Sequence, residues 1–237
     1  MDLRVKRICT LCARGGSKGL QNKNLLRIGR KTLIEISVRQ AKATNLFDKI
    51  ACSSDCPTIL AEAKKAGVDY LVERPKEMAS DTAAKVPAIR HCLQDCETRA
   101  GQKFDILVDL DVTSPLRTSL DICNAVSILE SEKVSNVITG SRAHRSPYFN
   151  MVEFDPHGTL GLCKKLKNRI VRRQDSPVCF DLNASIYVWH RKALLLKDDI
   201  FHADTKIYEM PEERSRDIDS QFDFDLVCWL FKRGKRH

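Results

Sequence analysis

The most distinctive chemistry in the sequence lies near the N-terminus, in the segment Ala13-Arg14-Gly15-Gly16-Ser17-Lys18-Gly19, which Lys23-Asn24 follows closely. Glycines let backbone N–H groups turn toward an anion, and the Arg and Lys side chains supply countercharge. The spacing is neither that of a Walker A loop nor that of the Gly-x-Gly-x-x-Gly dinucleotide turn. The alternative is a surface turn with incidental basic residues, but charged and amide side chains concentrated beside three glycines favour a phosphate-binding loop.

A pair of carboxylates stands near the other end of the chain, in Arg216-Asp217-Ile218-Asp219. Side chains two positions apart in an extended segment point to the same side. This arrangement suits a hard divalent cation such as Mg²⁺, with water and phosphate oxygens completing an octahedron. The alternative is that Asp219 only caps the helix that follows it. The residues alone leave both interpretations open.

Two further segments carry polar groups at positions where ligands bind. Asp111 and Arg117 follow the apolar run Asp105–Leu110, and open α/β sheets bind ligands at the carboxyl ends of such strands. Thr113-Ser114-Pro115 could instead only build a turn, with Asp111 bonded to its backbone. The polar segment from Arg74 to Ala83 offers a guanidinium and backbone groups that could read the edge of a base.

These groups need a scaffold, and the pattern of apolar residues predicts one. Strand-like and helix-like segments alternate over the first two-thirds of the chain, which is typical of an α/β fold with a mostly parallel sheet flanked by helices. The predicted strands are Arg7–Ala13, Lys49–Ser54, Val68–Glu73, Asp105–Leu110 in the centre, Val134–Thr139 and Asn183–Trp189. The predicted helices are Thr32–Thr44 with Thr32 as its cap, Cys56–Ala66, a long helix carrying Ile89, Leu93 and Cys96, Leu120–Glu132 and Gln221–Phe231.

A change of composition interrupts this alternation. From about Ser141 to Pro177 the chain has more Arg, Lys, His, Pro and Asn, with short strand-like pieces such as Tyr148–Phe154. This pattern indicates an insertion on the sheet rather than another strand–helix unit. We therefore predict a single domain over residues 1–237, with an inserted segment at residues 141–182.

Composition limits the class and the compartment. With 237 residues, 43% hydrophobic and 30% charged, the chain has ample material for a core, and no apolar run approaches the roughly 20 residues that span a bilayer. The N-terminus lacks a signal-peptide core, so we predict a cytoplasmic protein with no membrane partner. The ten cysteines are scattered, which favours reduced thiols. Cys9 and Cys12 have C-x-x-C spacing, but a strand would point them to opposite faces.

The net charge of +9 raises the possibility of nucleic-acid binding. Much of the excess lies at the chain ends and in Lys164–Arg173, however, and aromatic residues are only 6% of the chain. None is interleaved with a basic stripe, as stacking on single strands requires. Anionic small molecules explain the internal basic residues at least as well, so we predict no nucleic-acid partner.

Taken in chain order, these features form one pattern over nearly the full length. It comprises Ala13-Arg14-Gly15-Gly16-Ser17-Lys18-Gly19, Arg74-Pro75, Ala79-Ser80-Asp81-Thr82-Ala83, Thr113-Ser114-Pro115-Leu116-Arg117, Asn183-Ala184-Ser185-Ile186-Tyr187 and Asp217-Ile218-Asp219. The pattern resembles the CMP-sialic acid synthetase (acylneuraminate cytidylyltransferase) family, and within it the bacterial CMP-legionaminic acid synthetases. The first motif together with the last is the most specific part of the likeness.

The resemblance implies a Rossmann-like nucleotidyltransferase fold, and a homodimer in which the inserted segment serves sugar binding and dimerisation. It implies transfer of CMP from CTP to the anomeric hydroxyl of an acidic nine-carbon 3-deoxy-2-keto sugar, with release of pyrophosphate and Mg²⁺ as cofactor. The nucleotide-binding residues it implies are Ala13, Arg14, Gly15, Gly16, Ser17, Lys18, Lys23, Asn24, Arg74, Ala83 and Asp111. The sugar-binding residues it implies are Asp111, Arg117, Arg173, Gln174, Asn183 and Phe201. The metal ligands it implies are Asp217 and Asp219, which act in catalysis together with Arg14 and Lys18.

Two departures from the family pattern leave points open. Sialic acid synthetases commonly have Gln where this chain has Asp111, so that carboxylate could meet the metal, the ribose or the sugar. Leu20-Gln21-Asn22 replaces the Ile-Pro-x often seen after the glycine loop. The general base is also open among Asp217, Asp219 and Asp111 acting through water. The alternatives in function are a sialic, pseudaminic or Kdo-type acid as acceptor, or a non-catalytic nucleotide- or nucleic-acid-binding protein.

Overall fold

The computed structural model describes residues 4–16, 19–168 and 170–234. Its strands are β1 (Arg7–Cys12), β2 (Arg27–Ile28), β3 (Lys31–Thr32), β4 (Lys49–Ser54), β5 (Tyr70–Glu73), β6 (Ile106–Leu110), β7 (Asn136–Arg142), β8 (Val152–Phe154), β9 (Leu160–Leu162), β10 (Phe180–His190) and β11 (Lys206–Glu209). Its helices are α1 (Leu33–Ala43), α2 (Pro57–Ala66), α3 (Lys85–Ala100), α4 (Ser119–Glu132), α5 (Arg191–Leu196) and α6 (Gln221–Arg233).

Seven strands form one sheet in the order β11-β7-β10-β6-β1-β4-β5. All neighbouring pairs are parallel except those of β10, which runs antiparallel to both β6 and β7. β6 is the middle strand and every one of its residues is buried, which confirms the prediction of a central strand. The α/β class and the mostly parallel sheet are confirmed as well.

Helices cover both faces of the sheet. Successive side chains along a strand point to opposite faces, so each strand contributes to two apolar cores. Cys9 and Leu11 on β1 belong to the core that α1, α2, α4 and α6 cover, while Ile8 belongs to the core beneath α3 and α5. Cys9 and Cys12 lie on opposite faces of β1, as predicted. All ten cysteines of the chain are free thiols.

The helix ends follow the local sequence. The Thr32 hydroxyl accepts a hydrogen bond from the Glu35 N–H at 3.1 Å, which confirms the predicted cap of α1. α2 has Pro57 in its first turn and ends at Gly67, whose φ of 78° is a left-handed conformation that glycine adopts without strain. Thr118 and Ser220 begin α4 and α6 with reciprocal capping boxes.

Some elements were absent from the predicted set. The edge strand β11, the short helix α5, the hairpin β2–β3 and the strand β9 are too short or too exposed to give a clear periodic pattern, whereas β8 falls within the predicted strand-like piece Tyr148–Phe154. β7 extends to Arg142 and β10 begins at Phe180, so residues 143–179 connect these two strands, and the inserted segment at residues 141–182 stays a prediction. Within the ranges that the structure describes, no helix is both long and apolar enough to cross a membrane.

Candidate active site

The predicted phosphate loop leaves β1 at the carboxyl edge of the sheet, and contacts with its neighbours shape it. The Ala13 N–H donates to the Ser53 carbonyl at 3.0 Å, and the Gly15 N–H donates to Asp55 Oδ1 at 2.9 Å. Asn24 is buried, and its Nδ2 donates to the Arg14 carbonyl at 2.9 Å. Asn24 therefore holds the loop closed on itself. Gly16 is exposed, while Ser17 and Lys18 lie outside the described residues.

Arg14 connects this loop to the polar segment after β5. Its Nη1 donates to the Ser80 carbonyl at 2.8 Å and lies 3.1 Å from Asp81 Oδ1. The Ala83 N–H turns inward and donates to the Ser80 carbonyl. The structure therefore brings Arg14 and the Ala83 segment together, as a single nucleotide site requires.

Arg74 is oriented differently from Arg14. Its side chain is buried, and its guanidinium donates to the Ser53 hydroxyl at 3.3 Å and to the Ser53 carbonyl at 3.1 Å. These contacts join the carboxyl ends of β4 and β5 beneath the phosphate loop. Arg74 thus supports the floor of the candidate site.

The segment that carries the paired carboxylates, near the C-terminus, contacts the predicted phosphate loop near the N-terminus. Lys23 Nζ lies 2.7 Å from Asp219 Oδ1. A Cβ atom added at Gly19 would stand 2.5 Å from the Asp219 carbonyl oxygen, so the backbones approach too closely for a larger residue. Between the two carboxylates, Ile218 is buried and its N–H donates to the Thr113 carbonyl at 3.0 Å. This backbone bond docks the carboxylate pair onto the loop that follows β6.

The two carboxylates lie near each other. Burial raises the pKa of Asp217, and the charge of Asp219 raises it further, with a smaller contribution from Asp111. The side chain of Asp219 is 72% exposed, so it is accessible to a ligand. Asp219 is not the cap of α6, because Ser220 occupies that position. That alternative to the metal interpretation is wrong.

A second cluster of charged side chains, formed by Lys85, Asp109 and Asp111, lies at the carboxyl end of β6. Lys85 Nζ lies 3.3 Å from Asp109 Oδ2 and 3.0 Å from Asp111 Oδ2. Asp111 Oδ1 also accepts from the Thr113 N–H and hydroxyl at 3.0 and 2.8 Å. Burial opposes ionisation of Asp111, but Lys85 and these hydrogen bonds outweigh it, so the pKa of Asp111 is lowered. Asp111 is therefore held as a carboxylate.

Arg117 is buried beneath this edge, with 1% of its surface exposed. Its Nη1 donates to the carbonyls of Asp111 and Ser114 at 2.6 and 2.9 Å, and its Nη2 donates to the Ser37 hydroxyl at 2.7 Å. Burial lowers the pKa of Arg117 to about 10. The predicted sugar contact by Arg117 does not fit this environment. Its guanidinium instead organises the loop that carries Asp111.

Asn183 joins the remaining strands to the carboxylate segment. Its Oδ1 accepts from the Thr139 hydroxyl at 2.6 Å, and its Nδ2 donates to the Ser215 hydroxyl at 3.0 Å. It lines a cavity of about 280 Å³ together with Asp217, Arg142, His144 and Arg216. This polar cavity opens directly beside the paired carboxylates, so a second substrate bound there would lie next to them.

Arg173 and Gln174 line an adjoining cavity of about 320 Å³, which Arg142 shares. Arg173 Nη2 donates to the Ala143 carbonyl at 3.1 Å, which holds the inserted segment against the end of β7. Both predicted residues are therefore near the candidate sugar cavity without lining its wall beside Asp217.

Phe201 lies near the amino end of β7, whereas the cavity beside Asp217 lies near the carboxyl end of that strand. The neighbouring Ile200 carbonyl accepts a hydrogen bond from Asn136 Nδ2 at 2.6 Å, and Asn136 is the first residue of β7. Arg142, at the other end of β7, is the residue that meets the cavity. A strand of this length separates them by roughly 20 Å, because each residue advances about 3.3 Å. The prediction that Phe201 lines a sugar pocket is wrong for a pocket within one chain.

Comparison with known proteins identifies the family. A family model described as cytidylyltransferase matches residues 8–232. The chain belongs to the cytidylyltransferase family. This cytidylyltransferase is 40% identical over 223 residues to the CMP-N,N′-diacetyllegionaminic acid synthase of Campylobacter jejuni, with 94% of each chain covered. It is also 40% identical over 225 residues to post-translational flagellin modification protein B of Campylobacter coli, covering 95% of this chain and 94% of that protein.

The fold agrees with a more distant solved structure. The cytidylyltransferase superposes on CMP:2-keto-3-deoxy-manno-octonic acid synthetase complexed with CTP with a TM-score of 0.67, covering 97% of this chain and 99% of that chain. Sequence identity is only 14%, so this likeness concerns the fold. The cytidylyltransferase has the Rossmann-like nucleotidyltransferase fold, and family membership makes it a CTP-dependent nucleotidyltransferase.

Sequence reasoning missed several charged residues of the candidate site, among them Lys85 and, in the cavity beside Asp217, Arg142 and Arg216. A signal for Lys85 was present, because it is the first residue of α3 and the N-terminus of a helix disfavours a cation. A lysine at that position needs a compensating carboxylate. The sequence does not say which one, since Asp109 and Asp111 come from a different element.

Proposed function

We propose that this cytidylyltransferase transfers CMP from CTP to the anomeric hydroxyl of a nine-carbon 3-deoxy-2-keto sugar acid of the legionaminic type. The observation that carries the proposal is the 40% identity to the C. jejuni CMP-N,N′-diacetyllegionaminic acid synthase over 94% of both chains. The sugar hydroxyl attacks the α-phosphorus of CTP in line, so the new bond joins that oxygen to phosphorus. The bond from phosphorus to the bridging oxygen breaks, and pyrophosphate leaves.

The nucleotide occupies the carboxyl edge of the sheet at β1 and β4. The loop from Ala13 to Gly19, with Arg14 and Lys18 as its cations, faces the triphosphate, and Lys23 stands beside it at the carboxylate pair. The contact of Arg14 with Ser80 supports this placement, because it draws the Ala83 segment to the same site. That segment contacts the cytosine, and Arg74 supports it from beneath. No covalent enzyme intermediate is needed, so catalysis depends on positioning and charge stabilisation.

Asp217 and Asp219 fit a divalent cation. Cytidylyltransferases of this kind generally use a divalent metal ion. Burial and the charge of Asp219 both raise the pKa of Asp217, so a bound cation would stabilise the ionised form of the pair. In the residues that the structure describes, no group of three or more His, Cys, Asp or Glu side chains could hold a metal by itself. Phosphate and water oxygens would therefore complete the shell, as Mg²⁺ prefers. Bound Mg²⁺ would neutralise charge on the phosphates.

The acidic sugar occupies the cavity beside Asp217. Arg142 and Arg216 line it together with the carboxylates of Asp181 and Glu212, and the two guanidinium groups suit the carboxylate of a sugar acid. Asn183, which belongs to β10, forms part of the wall of the same cavity. Arg173 and Gln174 in the adjoining cavity are positioned to meet substituents that extend toward the inserted segment.

We also propose a homodimer that forms through the inserted segment. The hairpin β8–β9 presents Phe154 and Leu160 as a cross-strand pair with 72% and 58% of their surfaces exposed, and Val171 nearby in the sequence is 79% exposed. A second copy of the chain would cover this apolar surface. Phe201 could then meet a sugar site only in the partner subunit. The ten free thiols support a reducing compartment, so we place the enzyme in the cytoplasm.

The test is pyrophosphate release with CTP and Mg²⁺ against a panel of acceptors. The panel contains N,N′-diacetyllegionaminic, sialic, pseudaminic and Kdo-type acids, and mass spectrometry identifies the CMP-sugar. We expect release that requires both CTP and a nine-carbon acid, with the highest kcat/KM for the legionaminic type. UTP, ATP and GTP should each support less than about 1% of the rate with CTP, because a site that hydrogen-bonds cytosine leaves its polar groups unpaired with another base.

Each other outcome has a definite meaning. A higher kcat/KM for sialic, pseudaminic or Kdo-type acid would overturn the assignment of the acceptor while leaving CMP transfer intact. No CMP-sugar with any acceptor, despite Mg²⁺-dependent CTP binding by calorimetry, would overturn the proposed reaction.

A further inference from the structure

The Lys85 ammonium is held in place by contacts with two carboxylates and an aromatic ring. It stands between two carboxylates on β6 and its loop, at 3.3 Å from Asp109 and 3.0 Å from Asp111. Its ammonium also lies 4.6 Å from the centroid of the Tyr187 ring, and that ring stacks on Trp189 at 5.4 Å. The aromatic pair limits the positions that the lysine can take. The side chain keeps 30% of its surface exposed, so it reaches the open edge of the sheet.

The carboxylates around Lys85 explain why a cation is needed there. Asp109 is buried with no exposed surface, and burial raises its pKa. Its Oδ1 accepts from the Thr10 hydroxyl at 2.8 Å, while Oδ2 has Lys85 as its nearest cation. Burial opposes the charge of Lys85 itself, but the attraction of Asp111 and Asp109 outweighs it, so the pKa of Lys85 is raised. The group is therefore a stable ammonium.

The charge balance of the active site depends on this ammonium. The loop that carries Asp111 is joined to the segment of the paired carboxylates, because the Ile218 N–H donates to the Thr113 carbonyl at 3.0 Å. On the far side, Lys23 partners Asp219. CTP brings further negative charge to this edge. If Lys85 were neutral, the pair formed by Asp109 and Asp111 would repel the triphosphate, and Asp111 could turn toward the carboxylate pair.

We propose that Lys85 is a positioning residue for nucleotide binding. It holds Asp111 in a fixed orientation as a hydrogen-bond acceptor for a ligand hydroxyl, and it offsets the charge that would otherwise oppose CTP. The inference deepens the proposed function at the nucleotide end and does not depend on which sugar acid is the acceptor. Lys85 acts through Asp111 and not by direct contact with the reacting atoms.

The experiment is a double-mutant cycle read by calorimetric CTP affinity in the presence of Mg²⁺. We expect Lys85→Met to weaken CTP binding about tenfold or more, and Lys85→Arg to restore most of the affinity because the charge is kept. In an Asp111→Asn background, Lys85→Met should change the CTP affinity less than about threefold, because the carboxylate that Lys85 orients is already gone and Asp109 is buried away from the ligand. Additive effects in the cycle would overturn the proposal.

Controls separate this role from a merely structural one. Lys49 also lies 3.1 Å from a carboxylate, that of Asp69, and 5.9 Å from an aromatic ring, that of Tyr70, but it begins β4 at the opposite edge. Lys49→Met should leave CTP affinity unchanged. Should Lys85→Met fail to fold because Asp109 loses its partner, the substitution is repeated in an Asp109→Asn background. A lowered Tm with unchanged CTP affinity would assign Lys85 to stability alone and overturn the proposal.

The readouts also keep this proposal distinct from the choice of sugar. CTP affinity is measured without any acceptor, so silence with every sugar acid would leave the cycle interpretable. Where turnover is measurable, the KM for CTP should rise more than kcat falls, since Lys85 does not touch the reacting atoms. A fall in kcat at unchanged KM would contradict the positioning role.

Discussion

Lys23 and Asp219 lie 196 positions apart in the chain, yet the Lys23 ammonium stands 2.7 Å from the Asp219 carboxylate. The contact joins the loop after β1 to the segment before α6, and the backbone bond from Ile218 to Thr113 ties that segment to the loop after β6. Three distant parts of the chain thus meet at one edge of the sheet. The active site can form only when the fold is complete.

The first prediction concerns Asp219. Asp219→Asn should lower kcat/KM roughly 100-fold or more, because the site loses one of its two paired carboxylates while the shape of the side chain is kept. Asp225→Asn is the matched control, since Asp225 is an exposed carboxylate on α6 and its Oδ1 accepts from Gln221 Nε2 in the same helix. Steady-state kinetics over a range of Mg²⁺ concentrations measures both. Near-wild-type activity of Asp219→Asn at ordinary Mg²⁺ would remove the metal assignment.

The second prediction concerns Gly19, where a Cβ would stand 2.5 Å from the Asp219 carbonyl oxygen. Because that neighbour is backbone, Gly19→Ala should push the loop and the carboxylate segment apart. We expect a loss of about 1–3 kcal/mol in the free energy of unfolding and a weaker affinity for CTP. Denaturant unfolding and calorimetry measure the two quantities.

Gly234 provides the control for Gly19, because a Cβ there meets no heavy atom of the described residues within 4 Å. Gly234→Ala should leave both stability and CTP affinity unchanged. If Gly19→Ala behaves like Gly234→Ala, the two backbones are not in close contact.

The third prediction concerns Asp121, a buried carboxylate on α4 that accepts from Arg214 at 2.8 and 3.0 Å and from the Tyr208 hydroxyl at 3.0 Å. Burial opposes its charge, but Arg214 and the Thr118 bonds outweigh it, so its pKa in the folded state is lowered. A lowered pKa stabilises the fold above the unfolded value of about 3.9, and this contribution is lost as the pH falls through the folded value. Asp121→Asn should therefore cost about 3 kcal/mol at pH 7 and progressively less below pH 4.

Denaturant unfolding at several pH values tests the role of Asp121. The control is Asp175→Asn, which removes an exposed ion pair with Arg172 whose N–O distance is 2.9 Å. That change should cost less than about 1 kcal/mol, since solvent screens exposed pairs. Equal costs for the two variants, or a difference from wild type that grows as the pH falls, would contradict the prediction.

The fourth prediction concerns the hairpin β8–β9. Phe154→Glu combined with Leu160→Glu should convert a dimer into a monomer at micromolar concentration, because two charges would have to be buried in the interface. Light scattering after size exclusion measures the mass. Leu196→Glu is the control, since Leu196 is 77% exposed but lies at the end of α5, away from the hairpin. A wild-type chain that is already monomeric would contradict the proposed interface.

The local patterns of the sequence were good guides to elements with strong periodicity. β1, β4, β6 and the helices α1, α2, α4 and α6 lie within a residue or two of their predicted bounds, because each has apolar residues that repeat at its own period. The glycine-rich loop after β1 and the carboxylate pair before α6 could be singled out for a related reason. Their residue types are unusual enough to be recognised within a few positions.

Local sequence patterns did not predict contacts between residues that are distant in the chain. β10 reads as a strand, but nothing within its residues determines that it runs antiparallel between β6 and β7. Arg117 reads as a candidate ligand, yet burial turns its guanidinium toward three carbonyls of the protein, those of Asp111, Ser114 and Ser185. Phe201 follows a short helix that carries it to the wrong edge for a site in its own chain.

By itself the sequence determined the α/β class, the position of a glycine-rich loop after the first strand and the presence of a carboxylate pair before the last helix. These depend on interactions within a few residues, where periodicity and residue type are sufficient. Only the tertiary structure decided that Lys23 meets Asp219, that Lys85 stands between Asp109 and Asp111, and that Arg117 supports the site from beneath. Such contacts depend on the order and direction of strands in the sheet, and many residues far apart in the chain set that order together.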